Sequence, residues 1–139
     1  MKFLRSLREP KIVSGRIAQH CISRVLIADS FGARMRGWYG YQSTSNQGRG
    51  IDGVLLTVTS SVQTIGMGFA LDLIWLDDDL RCVDLSRRVP PWRVCWCIHA
   101  SHVLELASTS DNHALLRECQ PGQQLQLIGR AMYNPGKEA

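Results

Sequence analysis

The sequence lacks any long apolar run, and this absence argues against two classes of protein. None of its apolar segments approaches the roughly 20 residues that a membrane-spanning helix needs. The N-terminus is basic, and Arg5 and Arg8 interrupt its apolar residues. No apolar core of about 7–15 residues follows, so a secretory signal is not predicted. We therefore expect a cytoplasmic protein without a membrane span.

A disulfide framework is lacking as well. The five cysteines are odd in number and irregularly spaced, which, without an export signal, indicates reduced thiols. The 139 residues suffice for one domain that closes its core without a metal or disulfide. We expect a single, monomeric domain at residues 17–130, with a basic, flexible segment at 1–16 and a frayed tail at 131–139.

Aromatic residues do not alternate with the basic residues, although the charge is unevenly distributed. Residues 1–49 hold nine Lys/Arg against two Asp/Glu, a net charge of +7, and residues 50–139 hold seven against ten, a net charge of −3. A stacking platform for nucleic acid combines basic and aromatic side chains. Nucleic acid is therefore not the expected partner, but binding of nucleic acid or an acidic partner through the basic half stays open as an alternative.

Short apolar segments rich in β-branched residues are separated by turn residues, which predicts an α+β fold with a mostly antiparallel sheet and two short helices. The triple aspartate at 77–79 predicts a hairpin turn, and the nearly continuous apolar segment before it predicts a strand covered on both faces. The predicted strands span 21–28, 54–58, 61–65, 71–76, 81–86, 92–98, 102–107 and 123–128, and the predicted helices span 31–36 and 112–119.

Several short motifs follow one another in a recognisable order. They are Ala28 with Arg34-Met35-Arg36-Gly37, Gly53–Leu56, Gln63-Thr64-Ile65-Gly66-Met67 with Asp72, Pro91-Trp92-Arg93, Val103–Leu106, and Pro121-Gly122. In order and spacing the chain resembles the family named domain of unknown function 192 (DUF192, also UPF0127) over roughly residues 22–128. The resemblance implies a compact, β-rich domain with a barrel-like sheet. That family has no agreed activity.

The chain departs from this family at polar positions. The usual His of the family corresponds to Gln63, a Pro-Cys pair to Val58 and Thr59, and a frequent Arg to Gly68. An amide does not titrate near neutral pH, and an unactivated hydroxyl is a weak nucleophile. We therefore expect a divergent member that is a non-catalytic binding or accessory domain without a cofactor. Its partner would be a small molecule or a protein.

The resemblance and the local chemistry together indicate one ligand-binding site. A carboxylate in an apolar strand must be paired, so Asp72 should meet an arginine, or alternatively the backbone amides of the turn at 66–68. Trp92 and Arg93 follow two prolines and could recognise a carboxylate, a phosphate or a protein edge, or Trp92 could instead cap the core. The candidate residues are Arg34, Arg36, Gln63, Thr64, Met67, Asp72, Trp92 and Arg93.

A second group has the pattern C-x-C-x-H-x-x-H and comprises Cys95, Cys97, His99 and His102. These are zinc-type ligands, and the first three would lie on one face of a strand. The alternative is a sheet strand with buried thiols, with Val94, Trp96 and Ile98 filling its other face. We expect no metal; an enzyme or metal-binding protein that uses this group is the alternative function.

Overall fold

A computed structural model describes residues 11–30, 32–35, 38 and 50–130, and these are mainly β-strands. The strands are β1 (Lys11–Ile17), β2 (His20–Ala28), β3 (Gly53–Leu56), β4 (Ser61–Gln63), β5 (Leu71–Leu76), β6 (Cys82–Val89), β7 (Val94–Trp96), β8 (His102–Ala107) and β9 (Gln126–Arg130). A helix spans Ser110–Glu118, and residues 32–35 form a helical turn. No helix in these ranges is long and apolar enough to cross a membrane.

Seven of the strands form one sheet in the order β6-β5-β8-β3-β2-β1-β9. All its neighbours are antiparallel except β2 and β3, which run parallel and therefore need the long connection between residues 28 and 53. β4 and β7 form a separate two-stranded ribbon. The predicted β-rich, mostly antiparallel architecture is thus confirmed.

The predicted N-terminal boundary of the domain, at residue 17, lies after the observed start of β1 at Lys11. Residues 11–16 were predicted to be a flexible segment, but they belong to β1, which pairs with both β2 and β9. Gly15 does not end this strand; a Cβ there would lie 3.3 Å from the Leu125 side chain, so the glycine permits close packing. Residues 1–10 and 131–139 lie outside the described residues.

Apolar clusters cover both faces of the sheet. On one face, Ile74, Leu104 and Leu106 pack with Leu116 of the helix. On the other face, a second cluster contains Leu71, Leu73, Trp75 and Val103, together with Trp38 of the 32–38 region and Val62 of the ribbon. β5 is buried along its whole length, as its nearly continuous apolar sequence predicted.

The two edge strands of the sheet are joined near one end. The amide of Cys82 donates to the carbonyl of Gln123 at 2.8 Å, and the amide of Gly122 donates back to the carbonyl of Cys82 at 2.8 Å. The amide of Leu125 donates to the carbonyl of Leu80, also at 2.8 Å. These bonds connect the start of β6 to the segment that leads into β9.

Candidate functional site

A buried ionic group joins the helical turn to the sheet. Nη1 of Arg34 lies 3.1 Å from Oε2 of Glu105 on β8, and the indole of Trp38 donates to Oε1 of Glu105 at 3.2 Å. The Arg34 guanidinium also donates to the backbone carbonyl of Gln63 on β4. Arg34 and Glu105 are both completely enclosed. The arginine thus holds the helical turn, β4 and β8 together.

The electrostatics of this group fit a structural role. Burial raises the pKa of the Glu105 carboxyl from 4.5 to about 7, although the charge of Arg34 and the hydrogen bond from Trp38 oppose the rise. The predicted ligand anchor Arg34 is therefore engaged by a buried carboxylate and a backbone carbonyl. The sequence analysis did not place Glu105 or Trp38 in the site. The sequence feature that could have indicated Glu105 is its position as a single acidic residue among the apolar residues of β8.

Asp72 lies on the opposite face of the sheet from this group. In the pairing of β5 with β8, Asp72 faces Leu106 and Leu73 faces Glu105, and adjacent residues of a strand point to opposite faces. Oδ1 of Asp72 accepts a hydrogen bond from the backbone amide of Arg88 at 2.8 Å. Asp72 thus pairs with a backbone amide outside the turn at 66–68, and not with the side chain of Arg34 or Arg93 as expected. The sheet separates Asp72 from Arg34.

Asp72 instead lies in a group with Ser108 and His113, the residue types of a serine, histidine and aspartate triad. Nε2 of His113 lies 2.8 Å from the hydroxyl of Ser108 and 3.5 Å from Oδ2 of Asp72. A serine, histidine and aspartate relay requires the hydroxyl and the carboxylate to approach different ring nitrogens. Here both approach the same nitrogen. The group anchors the start of the Ser110–Glu118 helix and does not have the geometry of a catalytic triad.

Thr64 has a clear structural role between the ribbon and the Pro90–Arg93 segment. Its buried hydroxyl donates to the carbonyl of Pro90 at 2.7 Å and accepts from the amide of Arg93 at 2.8 Å. Both bonds fix the turn from which Trp92 projects. Met67 is buried in the second apolar cluster, and Arg36 lies outside the described residues.

A cleft of about 190 Å³ lies beside the helical turn. Of the predicted site residues, Arg34 and Gln63 line this cleft. Most of the remaining lining is hydroxyl-bearing and includes Ser30, Thr57, Thr59 and Ser61. Pockets for drug-sized ligands are usually about 300–1,000 Å³, so this cleft suits at most a small polar molecule.

An unexpected feature of β7 and its flanks is a series of exposed apolar residues at alternate positions, Trp92, Val94, Trp96 and Ile98. Trp92 is 67 % exposed, Trp96 70 % and Ile98 82 %. The interpretation of Trp92 as a cap on the core is wrong, because Trp92 is exposed. The interpretation of β7 as a strand with its thiols on one face and Val94, Trp96 and Ile98 on the other agrees with the structure, in which Val62 and the half-buried cysteines occupy the inward side. We call these four residues the tryptophan surface.

The four residues of the C-x-C-x-H-x-x-H pattern do not come together. Cys95 and Cys97 turn toward the second apolar cluster, and burial raises the pKa of the Cys95 thiol. His99 is exposed, and Nδ1 of His102 accepts a hydrogen bond from the amide of Val58 at 2.9 Å. Across residues 11–30, 32–35, 38 and 50–130, no three His, Cys, Asp or Glu side chains are grouped closely enough to hold a metal ion.

Comparisons with known proteins bear on the fold. No family model and no curated protein matches the chain. A Novosphingobium aromaticivorans protein of unknown function is similar in structure, with a TM-score of 0.61 and 17 % identity over 83 % of this chain and 84 % of that one. A Sinorhizobium meliloti protein, called a "putative transcription regulator", gives a TM-score of 0.65 and 16 % identity over 86 % of this chain and 95 % of that one. At this identity the likeness concerns the fold alone.

Proposed function

We propose that this chain is a non-catalytic binding domain that recognises a protein partner through the tryptophan surface. The observation that carries the proposal is the exposure of Trp92 and Trp96 on a small ribbon, beside the exposed aliphatic side chains of Val94 and Ile98. Tryptophan is enriched among the residues that dominate protein–protein binding energy. The charged candidates Arg34 and Asp72 are used inside the fold, so the surface is the better site.

The size of the tryptophan surface supports the same conclusion. A large aromatic side chain presents about 150–250 Å², so the four residues expose on the order of 500 Å² of mainly apolar area. The largest apolar patch on a monomeric protein is typically about 300–600 Å² and often functional. Covering this surface removes its apolar area from water, which favours binding of a partner with an apolar face.

Family and architecture are part of the proposal. We assign the chain to DUF192 as a divergent member, on the strength of its ordered motifs. We also propose that the sheet is barrel-like, which is supported by the hydrogen bonds between residues 80–82 and 122–125 at its two edges. A cytoplasmic location fits the cysteines, since all five are free thiols.

Affinity capture with quantitative mass spectrometry tests the binding function. The test variant combines Trp92→Gly with Trp96→Ser; glycine suits position 92, because Trp92 has a φ of 67°. The matched control is Ile128→Ser, which removes an exposed aliphatic side chain from β9. We expect proteins retained by the wild type and the control to be lost by the double variant. Equal retention by all three, or turnover in a broad hydrolase and transferase screen, contradicts the proposal.

A further inference from the structure

The outer edge of β7 presents backbone groups that β4 does not use. The amide of Cys97 donates to the carbonyl of Ser60, and the amide of Thr64 donates to the carbonyl of Arg93, both at 2.9 Å. Inward and outward backbone groups alternate along an antiparallel ladder. The N–H and C=O groups of Val94 and Trp96, which lie between these bonded positions, therefore point away from β4.

The two edges of the ribbon differ in how they are covered. On β4, the amide of Ser61 donates to the hydroxyl of Thr59 at 3.3 Å, and the carbonyl of Gln63 accepts from Arg34. Side chains of the fold thus cap this edge. Among the described residues, β4 is the only strand that pairs with β7. The edge of β7 therefore offers four backbone groups to an added strand.

The charge around this edge selects the chemistry of the partner. Neither residues 53–71 nor residues 85–104 contain an aspartate or glutamate. Arg93 is exposed immediately before β7, and Arg88 is exposed near the end of β6. A partner strand that carries carboxylates complements these cations, whereas a second copy of the edge at 92–98 brings no carboxylate to them.

We propose that an extended peptide segment with alternating acidic and apolar residues adds as a strand to the outer edge of β7. The proposal rests on the binding function given above and names its partner class. Backbone hydrogen bonds to Val94 and Trp96 supply the pairing, and apolar side chains cover the tryptophan surface. The acidic side chains lie toward Arg93. The outward backbone groups of Val94 and Trp96 favour this ligand over single-stranded nucleic acid, because an added strand pairs with them and stacked bases would not.

The direct test is a titration of the wild-type protein with an eight-residue peptide of alternating Glu and Val. Tryptophan fluorescence and calorimetry measure the binding. One control peptide carries N-methyl groups on alternate amides, which removes strand pairing and keeps the side chains. A second control replaces each Glu with Lys. We expect binding that is at least tenfold weaker with either control. Equal affinity for the N-methylated peptide, or no binding of the Glu–Val peptide, overturns the proposal.

Variants of Val94 locate the bound strand. Val94→Pro removes an outward amide, a change that edge strands tolerate, whereas Val94→Thr keeps that amide. We expect the peptide to bind the threonine variant and not the proline variant, with unchanged melting temperatures for both. A dimer that Val94→Pro abolishes would assign the edge to a second copy. Oligonucleotide binding that survives Val94→Pro, with no peptide binding, would assign the surface to nucleic acid. Either result overturns the peptide partner, while the capture experiment judges the binding function separately.

Discussion

At the scale of single residues, the buried Glu105 shows how burial and pairing compete. Its carboxylate has a cation at 3.1 Å and an indole donor at 3.2 Å, and both favour the charged form. The loss of hydration is nevertheless the larger effect, because its pKa rises from 4.5 to about 7. The Arg34–Glu105 pair therefore fixes the position of the helical turn at a cost in stability near neutral pH.

This balance predicts the pH dependence of the free energy of unfolding. A carboxyl group that binds its proton more tightly in the folded state than in the unfolded state stabilises the fold below the unfolded pKa. That stabilisation is lost as pH rises through the folded pKa. We expect Glu105 to lower the stability by about 3 kcal/mol between pH 4.5 and pH 7, given its pKa shift from 4.5 to about 7. Urea unfolding at half-unit pH steps measures this change.

Glu105→Gln is the variant that isolates the effect, because an amide keeps the size of the side chain and does not titrate. We expect the slope between pH 4.5 and pH 7 to flatten in this variant. Since the folded wild type holds Glu105 largely uncharged below pH 7, the neutral amide resembles that form, and the two proteins should differ least in stability at acidic pH. A wild-type stability that rises through this window, together with a flat profile for Glu105→Gln, would show that pairing lowers the pKa instead.

Asp72 illustrates what the sequence can and cannot predict about a residue. Its place in an apolar strand correctly predicted a buried carboxylate with a hydrogen-bond donor. The identity of the donor could not be predicted, because it depends on which face of the sheet Asp72 occupies. Pairing register between β5 and β8 decides that face, and a shift of one residue would exchange Asp72 with Leu73. No local pattern encodes this register.

At the scale of elements, the ribbon depends on one threonine for its orientation. Thr64 bonds to the backbone of Pro90 and Arg93 and thereby sets the turn that carries Trp92. Thr64→Val keeps the shape of the side chain but leaves both backbone groups without this partner. We expect a loss of about 1–3 kcal/mol in the free energy of unfolding, because Thr64 is buried and both bonds are partly shielded from water. A shift in the tryptophan emission should accompany it.

Thr59→Val is the matched control for this prediction. The Thr59 hydroxyl also donates to a backbone carbonyl, that of Ser61 at 2.9 Å, but at an exposed position. Water can replace that bond, so we expect a change of less than about 0.5 kcal/mol. Denaturant unfolding of the two variants side by side gives the comparison. Equal losses would mean that Thr64 does not hold the turn.

The bounds of a strand could be predicted from the sequence where the strand is clearly buried on one face or on both. β5 and β8 were placed at their observed bounds, because each is a mainly apolar segment, with a single acidic residue, between polar turns. The exposure of one face of β7 was not predicted, since both of its faces carry side chains that can be buried. Cysteine is a small, often buried residue, and here the cysteines face inward while the larger tryptophans remain outside. When both faces of a strand carry side chains that can be buried, the sequence does not show which face packs against the core.

At the scale of the whole molecule, the layers of the fold explain why the tryptophan surface lies on the ribbon. The Ser110–Glu118 helix covers one face of the seven-stranded sheet, and the ribbon with Trp38 covers the other. Val62 and Met67 anchor the ribbon side to the sheet. The opposite side of the ribbon has no layer above it among the described residues. A short strand that is buried on one side and apolar on the other is suited to dock a partner.

Hydrogen exchange of the whole protein tests both the joined sheet edges and the open ribbon edge. The amides of Cys82 and Leu125 bond across the two edge segments, whereas those of Val94 and Trp96 point away from β4. If the edges close as proposed, Cys82 and Leu125 should exchange only with global unfolding and at least a hundredfold more slowly than Val94 and Trp96. Peptide binding should then slow exchange at Val94 and Trp96 alone, because an added strand supplies their missing acceptors. Fast exchange at Cys82 and Leu125 would show an open sheet, and slow exchange at Val94 and Trp96 in the free protein would show that β7 is already covered.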